Sequence, residues 1–341
     1  MRKLLSFFAV AADASLARFG HWVIPAMCAC VTATYAISAG ATDVQPKLAV
    51  SPAEQTVAAL STAMLGAATA GHRIVSVGDH GAILLSDDGG HHFRQARFVP
   101  IGSMLTSVSF ANATTGWAVG QWGAILQTKD GGETWKLQRV DMANDQPLFS
   151  VYFKDQSEGW AVGLWSLMLH TTDGGANWQT VTLPAAPGHA KADLNLYSIF
   201  GDGKGALFAS AEKGQVLRSL DGGVSWSYAD TGYTGSLWTG IRLSDGTLLV
   251  AGLRGSILRS SDNGTTWTNV PDQFHSSINS IVQLSNGTVV ALGLDGVSLV
   301  SKDSGQTFVG SQRPDRLPLL TATETKGANM VVFSESGPQM Q

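Results

Sequence analysis

The chain is predicted to be all-β: a β-propeller of seven four-stranded blades with a composite closing blade. Three observations predict it. One phrase, Ser/Thr-x-Asp-x-Gly-x-x-Trp/Phe, occurs six times, beginning at Ser86, Thr128, Thr171, Ser219, Ser260 and Ser301. Successive copies start 42, 43, 48, 41 and 41 residues apart, the period of a repeat architecture. Between copies lie only short apolar runs broken by turn residues, and the 39 glycines suit that punctuation.

Each copy sits between two strand-like runs and reads as a hairpin turn. Its Asp (Asp88, Asp130, Asp173, Asp221, Asp262, Asp303) can accept hydrogen bonds from backbone N–H groups further along, closing the turn. The Gly two positions on supplies a positive φ. The final aromatic (Phe93, Trp135, Trp178, Trp226, Trp267, Phe308) starts the next strand with a large apolar face. A calcium loop of the EF-hand kind needs alternating oxygen ligands and a Glu at its twelfth position, and no copy has that series. The six Asp residues are therefore expected to be structural, and no metal is expected.

Seven residues before each Asp stand Gly81, Gly123, Ser166, Gly214, Gly255 and Gly296, marking an earlier turn. Further upstream, Asp245-Gly246 and Asn286-Gly287 carry hairpin signals. Each unit thus has four strands, A to D, with the repeated phrase joining C to D. After the sixth unit, residues 319–324 and 330–334 read as strands A and B of another, which ends before any such phrase. A half blade would leave an open edge, so the segment 42–62, chiefly residues 44–62, is expected to supply the missing outer strand. Six blades plus a tail is the alternative. The propeller is assigned to residues 63–341.

Residues 1–41 differ. Arg2, Lys3 and Arg18 precede an apolar stretch at 22–37, and small residues follow at 38–41, the order of a signal peptide. An uncleaved anchor is the alternative. Cleavage after Ala41 changes the net charge from −4 to −6 and removes Cys28 and Cys30, leaving no thiol. The expected location is periplasmic or secreted. No basic run marks a nucleic-acid surface, and no later stretch is long and apolar enough to span a membrane.

No catalytic motif is legible. Glycoside hydrolysis on such a ring would need an acid/base and a nucleophile with an arginine cluster, and the tyrosines Tyr152, Tyr197, Tyr228 and Tyr233 carry no local signature of it. His91-His92 occupies solvent-compatible turn positions without a third ligand. Residues 201–205 lack the Gly-Lys-Ser/Thr ending of a phosphate loop and read as an A–B turn. No cofactor is expected. The variable positions are the B–C pairs before the recurrent Gly: Asp79-His80, Gln121-Trp122, Leu164-Trp165, Glu212-Lys213, Leu253-Arg254 and Leu294-Asp295. A constant turn with changing residues is how a rigid ring presents a recognition surface. His80, Trp122, Trp165, Lys213, Arg254 and Asp295 are the candidate partner-binding residues, the tryptophans first. The competing reading packs both tryptophans between blades.

The repeated phrase is the Asp-box of the bacterial neuraminidase repeat. The longer units GWAVGQWGAILQTKDGGETW (116–135) and GWAVGLWSLMLHTTDGGANW (159–178) resemble the photosystem II stability/assembly factor family, over about residues 60–341. The resemblance implies a non-enzymatic scaffold, peripheral to the membrane and monomeric, that binds a membrane or envelope protein and assists assembly of its complex. In a photosynthetic source that implies a photosystem II reaction-centre subunit on the lumenal side. The family's arginine-rich patch implies Arg254, Arg242 and Arg259 as nearby candidates. The alternative is a carbohydrate-binding or sialidase-like propeller.

Overall fold

The computed structural model describes residues 50–339; the proposed signal peptide or anchor and both cysteines lie outside them. Seven antiparallel sheets follow one another, each with its strands in chain order. The innermost A strands are Met64–Ala70, Leu105–Phe110, Leu148–Phe153, Leu196–Gly201, Leu237–Arg242, Ile278–Gln283 and Leu319–Glu324. Each packs on the next, and the seventh returns to the first. The ring is the seven-bladed propeller the repeat predicts.

Burial across a blade explains its sequence. Strand B is covered on both faces by the neighbouring blades, so Gly116–Gly120, Gly159–Gly163 and Leu248–Gly252 are buried at every residue and read as unbroken small or apolar runs. Strand D lies on the rim: Gln179–Thr180 is wholly exposed and Lys136–Arg139 half-exposed, hence polar. Between blades the box tryptophans pack against the core, Trp135 fully buried and Trp178, Trp226 and Trp267 partly so. Trp135 is 1% exposed and meets Phe110 edge-on at 6.3 Å. Trp117, from strand B of blade 2, stacks on Phe153 at 3.4 Å and donates its indole N–H to the Gly174 carbonyl in the Asp-box of blade 3.

In the closing blade the described part of the N-terminal segment adds no strand. Blade 7 has three strands, Leu319–Glu324, Met330–Ser334 and Gly337–Gln339, so its third strand comes from the end of the chain. Residues 50–62 contribute no strand, and 42–49 lie outside the described residues. The reason is the direction of the N-terminal segment. It runs along the outer side of blade 1, where Ala53 donates to the Val99 carbonyl and Gly102 to the Ser51 carbonyl, and Gln55 donates to the Ala96 carbonyl. It reaches blade 7 only as the 3₁₀ turn Val57–Ser61, packed on Gly337–Gln339. A side chain at Gly337 would meet the Leu60 carbonyl at 2.2 Å. Pro338, which lacks an N–H, further blunts the edge. Closure therefore rests on packing: Met64, Ile74 and Leu84 of blade 1 with Val331 and Phe333 of blade 7, and Phe93 edge-on to Phe333 at 5.7 Å. Where blade 7 lacks a fourth strand and box, a cleft of about 1070 Å³ of mixed polar and apolar lining opens beside His72, Asp88, Met330 and Val331.

Candidate functional site

The Asp-boxes form one face of the ring. In each, the Ser or Thr hydroxyl donates to the Asp at 2.7–2.8 Å and accepts from the Gly four residues on at 2.8–2.9 Å. The Asp then accepts from the backbone N–H and the side chain of the residue four positions later, as at Thr134 (2.9 and 2.6 Å). His92 fills that slot in the first box, with Nδ1 2.6 Å from Asp88. The His pair thus includes one turn-closing residue, and among the described residues no three metal-ligating side chains gather. The Asn177, Ser225 and Thr307 side chains, followed by their own backbone N–H groups, hold Asp173, Asp221 and Asp303 down at about 2. Burial opposes the same effect at Asp130, but the hydroxyl and N–H of Thr134 outweigh it and the carboxyl is still lowered. Every box Asp is thereby engaged in closing its own turn.

The opposite face is built from the B–C turns. The first central residue of each is left-handed: His80 (φ 54°), Trp122 (61°), Trp165 (53°), Lys213 (55°), Arg254 (58°) and Asp295 (55°). The next residue, Gly or Ser166, is also at positive φ, which is the type I′ geometry. All six close with a hydrogen bond between the flanking residues, 3.0–3.2 Å long in the first five, and Val297 N–H donates to the Leu294 carbonyl in the sixth. Glycine at the second place is demanded by close approach as well: at Gly214 a side chain would sit 1.7 Å from the Tyr233 carbonyl. The first place favours Gly, Asn or Asp, and an L-residue there costs roughly 1–2 kcal/mol. Only Asp295 follows that preference. Turn stability does not explain a Trp, Arg, Lys or His in this position.

The displayed side chains stand one per blade around the ring rather than in a cluster. Trp165 is 60% exposed, and Trp122 is half-buried. His80 and Arg254 are exposed, His80 3.3 Å from Asp79. Lys213 reaches the ring of His189 at 2.8 Å, and the other nitrogen of that ring lies 2.6 Å from Asp193. Both partners belong to the long connection between blades 3 and 4 that produces the 48-residue interval. Asp295 accepts from the Ser276 hydroxyl. Arg242 and Arg259 sit at the Asp-box end instead, Arg259 donating to the Ser304 carbonyl, so they form no patch with Arg254.

The centre of this face holds residues that strand patterning missed. Every A strand is bulged at its second residue, where the register skips: Leu65, Thr106, Phe149, Tyr197, Trp238, Asn279 and Leu320. All seven line the mouth of the central channel. Phe149 stacks on Tyr197 at 5.7 Å, and Tyr197 lies 3.3 Å from Glu212. Burial, then the Glu212 charge, pushes the Tyr197 phenol up to about 12. That is the wrong direction for a nucleophile, and no arginine lines the channel. Tyr152 is raised by burial too, and its oxygen accepts from the Gly203 N–H.

Residues 95–250 match the family model described as photosynthesis system II assembly factor YCF48. No curated protein sequence matches the chain. Among solved structures, "YCF48 bound to D1 peptide" superposes with a TM-score of 0.67 at 19% identity, covering 82% of this chain and 92% of the other. YCF48 from Cyanidioschyzon merolae gives 0.64 at 15%, covering 85% and 97%. The extracellular domain of BT4673 from B. thetaiotaomicron gives 0.63 at 10%; 85% of this chain spans 40% of that one. Likeness at these identities establishes the propeller fold, and the family model establishes the kind of repeat. In its repeat the chain is similar to the photosystem II assembly factor family over residues 95–250, and in its ring it shares the β-propeller fold of the solved YCF48 structures.

Proposed function

We propose that this chain is a non-enzymatic scaffold that binds a segment of a membrane or envelope protein on the B–C face and assists assembly or stability of that protein's complex. One observation carries the reading: five of six turn positions that favour Gly, Asn or Asp hold unlike, conformationally costly residues, Trp165 among them at 60% exposure. Held at such a position, strain calls for a reason outside the turn. A solved relative by fold, YCF48, has been captured with a D1 peptide, which supports a peptide-like ligand. In a photosynthetic source the partner is a reaction-centre subunit; otherwise it is another envelope protein. The basic, apolar, small-residue order of residues 1–41 supports export to the periplasm or beyond, with the ring monomeric and peripheral to the membrane. The test is capture from detergent-solubilised membranes by the wild type and by Trp122→Ala/Trp165→Ala, alongside a glycan panel and fluorogenic glycosides. Capture lost in the variant, with glycans and glycosides untouched, is the expected result. Glycan binding or turnover without a protein partner would falsify it.

A further inference from the structure

The channel mouth has a chemistry of its own. Beneath the seven bulged residues, the third position of the A strands reads Gly66, Ser107, Ser150, Ser198, Thr239, Ser280 and Thr321, and all of these line the channel. The innermost strand edge leaves backbone groups unpaired, and two hydroxyls serve them: Ser107 accepts from Val151 N–H and Ser150 from Ile199 N–H. Those of Ser198, Thr239, Ser280 and Thr321, on four consecutive blades, have no partner among the described residues. No charged side chain lines the space, which measures about 170 Å³.

We propose that this pocket takes one tyrosine side chain from the bound partner, its ring between Phe149 and Leu320, which face each other across the collar from blades 3 and 7, and its hydroxyl among the four unpaired hydroxyls. This rests on the protein-binding reading and names the anchor within it. Size points to a single ring, since an engineered cavity of about 150 Å³ holds benzene. The lining disfavours an ion, because a carboxylate or ammonium entering it would exchange its hydration for a few hydroxyls and meet no counter-charge. A mostly polar wall under a partly aromatic collar matches an amphipathic aromatic with a polar tip. The pocket is also continuous with the face that displays Trp122 and Trp165.

The probe is p-cresol, the tyrosine side chain itself, titrated into ¹⁵N-labelled protein with toluene and p-toluate as controls. We expect saturable shifts at the amides of Ser198, Thr239 and Ser280, binding of toluene weaker by tenfold or more, and none of p-toluate. Ser280→Phe, which fills the pocket, should abolish the shifts, and Thr239→Val should weaken them several-fold. Unsaturable shifts, equal binding of toluene, or shifts surviving Ser280→Phe overturn the proposal. The wild-type titration needs no variant to fold. Failure of p-cresol with Trp165-dependent capture intact defeats the pocket alone; loss of capture with p-cresol still bound defeats the protein-binding reading instead.

Discussion

Replacing Trp165 with Gly separates display from packing. With 60% exposure, about 40% of a side chain offering up to about 250 Å² is covered. At about 25 cal/mol per Å² that covered part stabilises the fold by at most about 2.5 kcal/mol, less after allowing for burial in the unfolded chain. Glycine relieves the left-handed backbone at φ 53°, returning roughly 1–2 kcal/mol. The two effects nearly cancel, so the melting temperature should move by a few degrees at most. Trp135→Ala is the contrast. That ring is 1% exposed, and its loss should cost about 3–5 kcal/mol. Thermal and denaturant melts give the stabilities, and capture of the partner is measured on the same samples. Partner affinity should fall by about 2 kcal/mol or more for Trp165→Gly, the hot-spot range. A destabilisation as large as that of Trp135→Ala would refute the display of Trp165. Unchanged capture would refute its role in recognition.

Further outcomes follow from the two faces and the seam. Asp130→Ala removes the acceptor for Thr128 and Thr134 and should cost about 1–2 kcal/mol with capture unaltered below the transition. Acid should weaken the ring in a defined window. The box carboxyls are depressed in the folded state, to about 2 at Asp173, Asp221 and Asp303, against about 3.9 unfolded. Their stabilisation is full above pH ~4 and lost as pH falls through ~2, so melting temperature should drop across that span, less steeply in Asp173→Asn. At the closing seam, Phe333→Ala, fully buried between blades 7 and 1, should cost about 3–5 kcal/mol in the same melts.

Much of this architecture is legible because it is local. The Asp-box closes within eight residues, so Ser86, Asp88 and Gly90 announce the turn wherever they recur, and the B–C position is found by counting back from it. Two things needed the third dimension. The end of blade 7 depends on which way residues 50–62 leave blade 1, and no local pattern records that direction. The channel collar was hidden because its seven residues share no chemical type. A subtler signal was available: buried Leu105 and Val108, Leu148 and Val151, Leu196 and Ile199 stand three apart in strands whose faces alternate every two residues. That spacing requires one bulged residue between them, and it recurs from blade to blade. The grouping of Arg254 with Arg242 and Arg259 failed for the same reason, since nearness in sequence places strand ends of one blade on opposite faces.

Recognition through the B–C turns requires that this face, and not the Asp-box face, meet the partner. Placing a photo-crosslinking amino acid at Trp165 on one face and at Val224, 86% exposed in an Asp-box, on the other tests it directly in solubilised membranes. A specific protein adduct from position 165, identified by mass spectrometry and missing from position 224, is the predicted result. An adduct formed at 224 and not at 165 would place recognition on the Asp-box face and contradict the account.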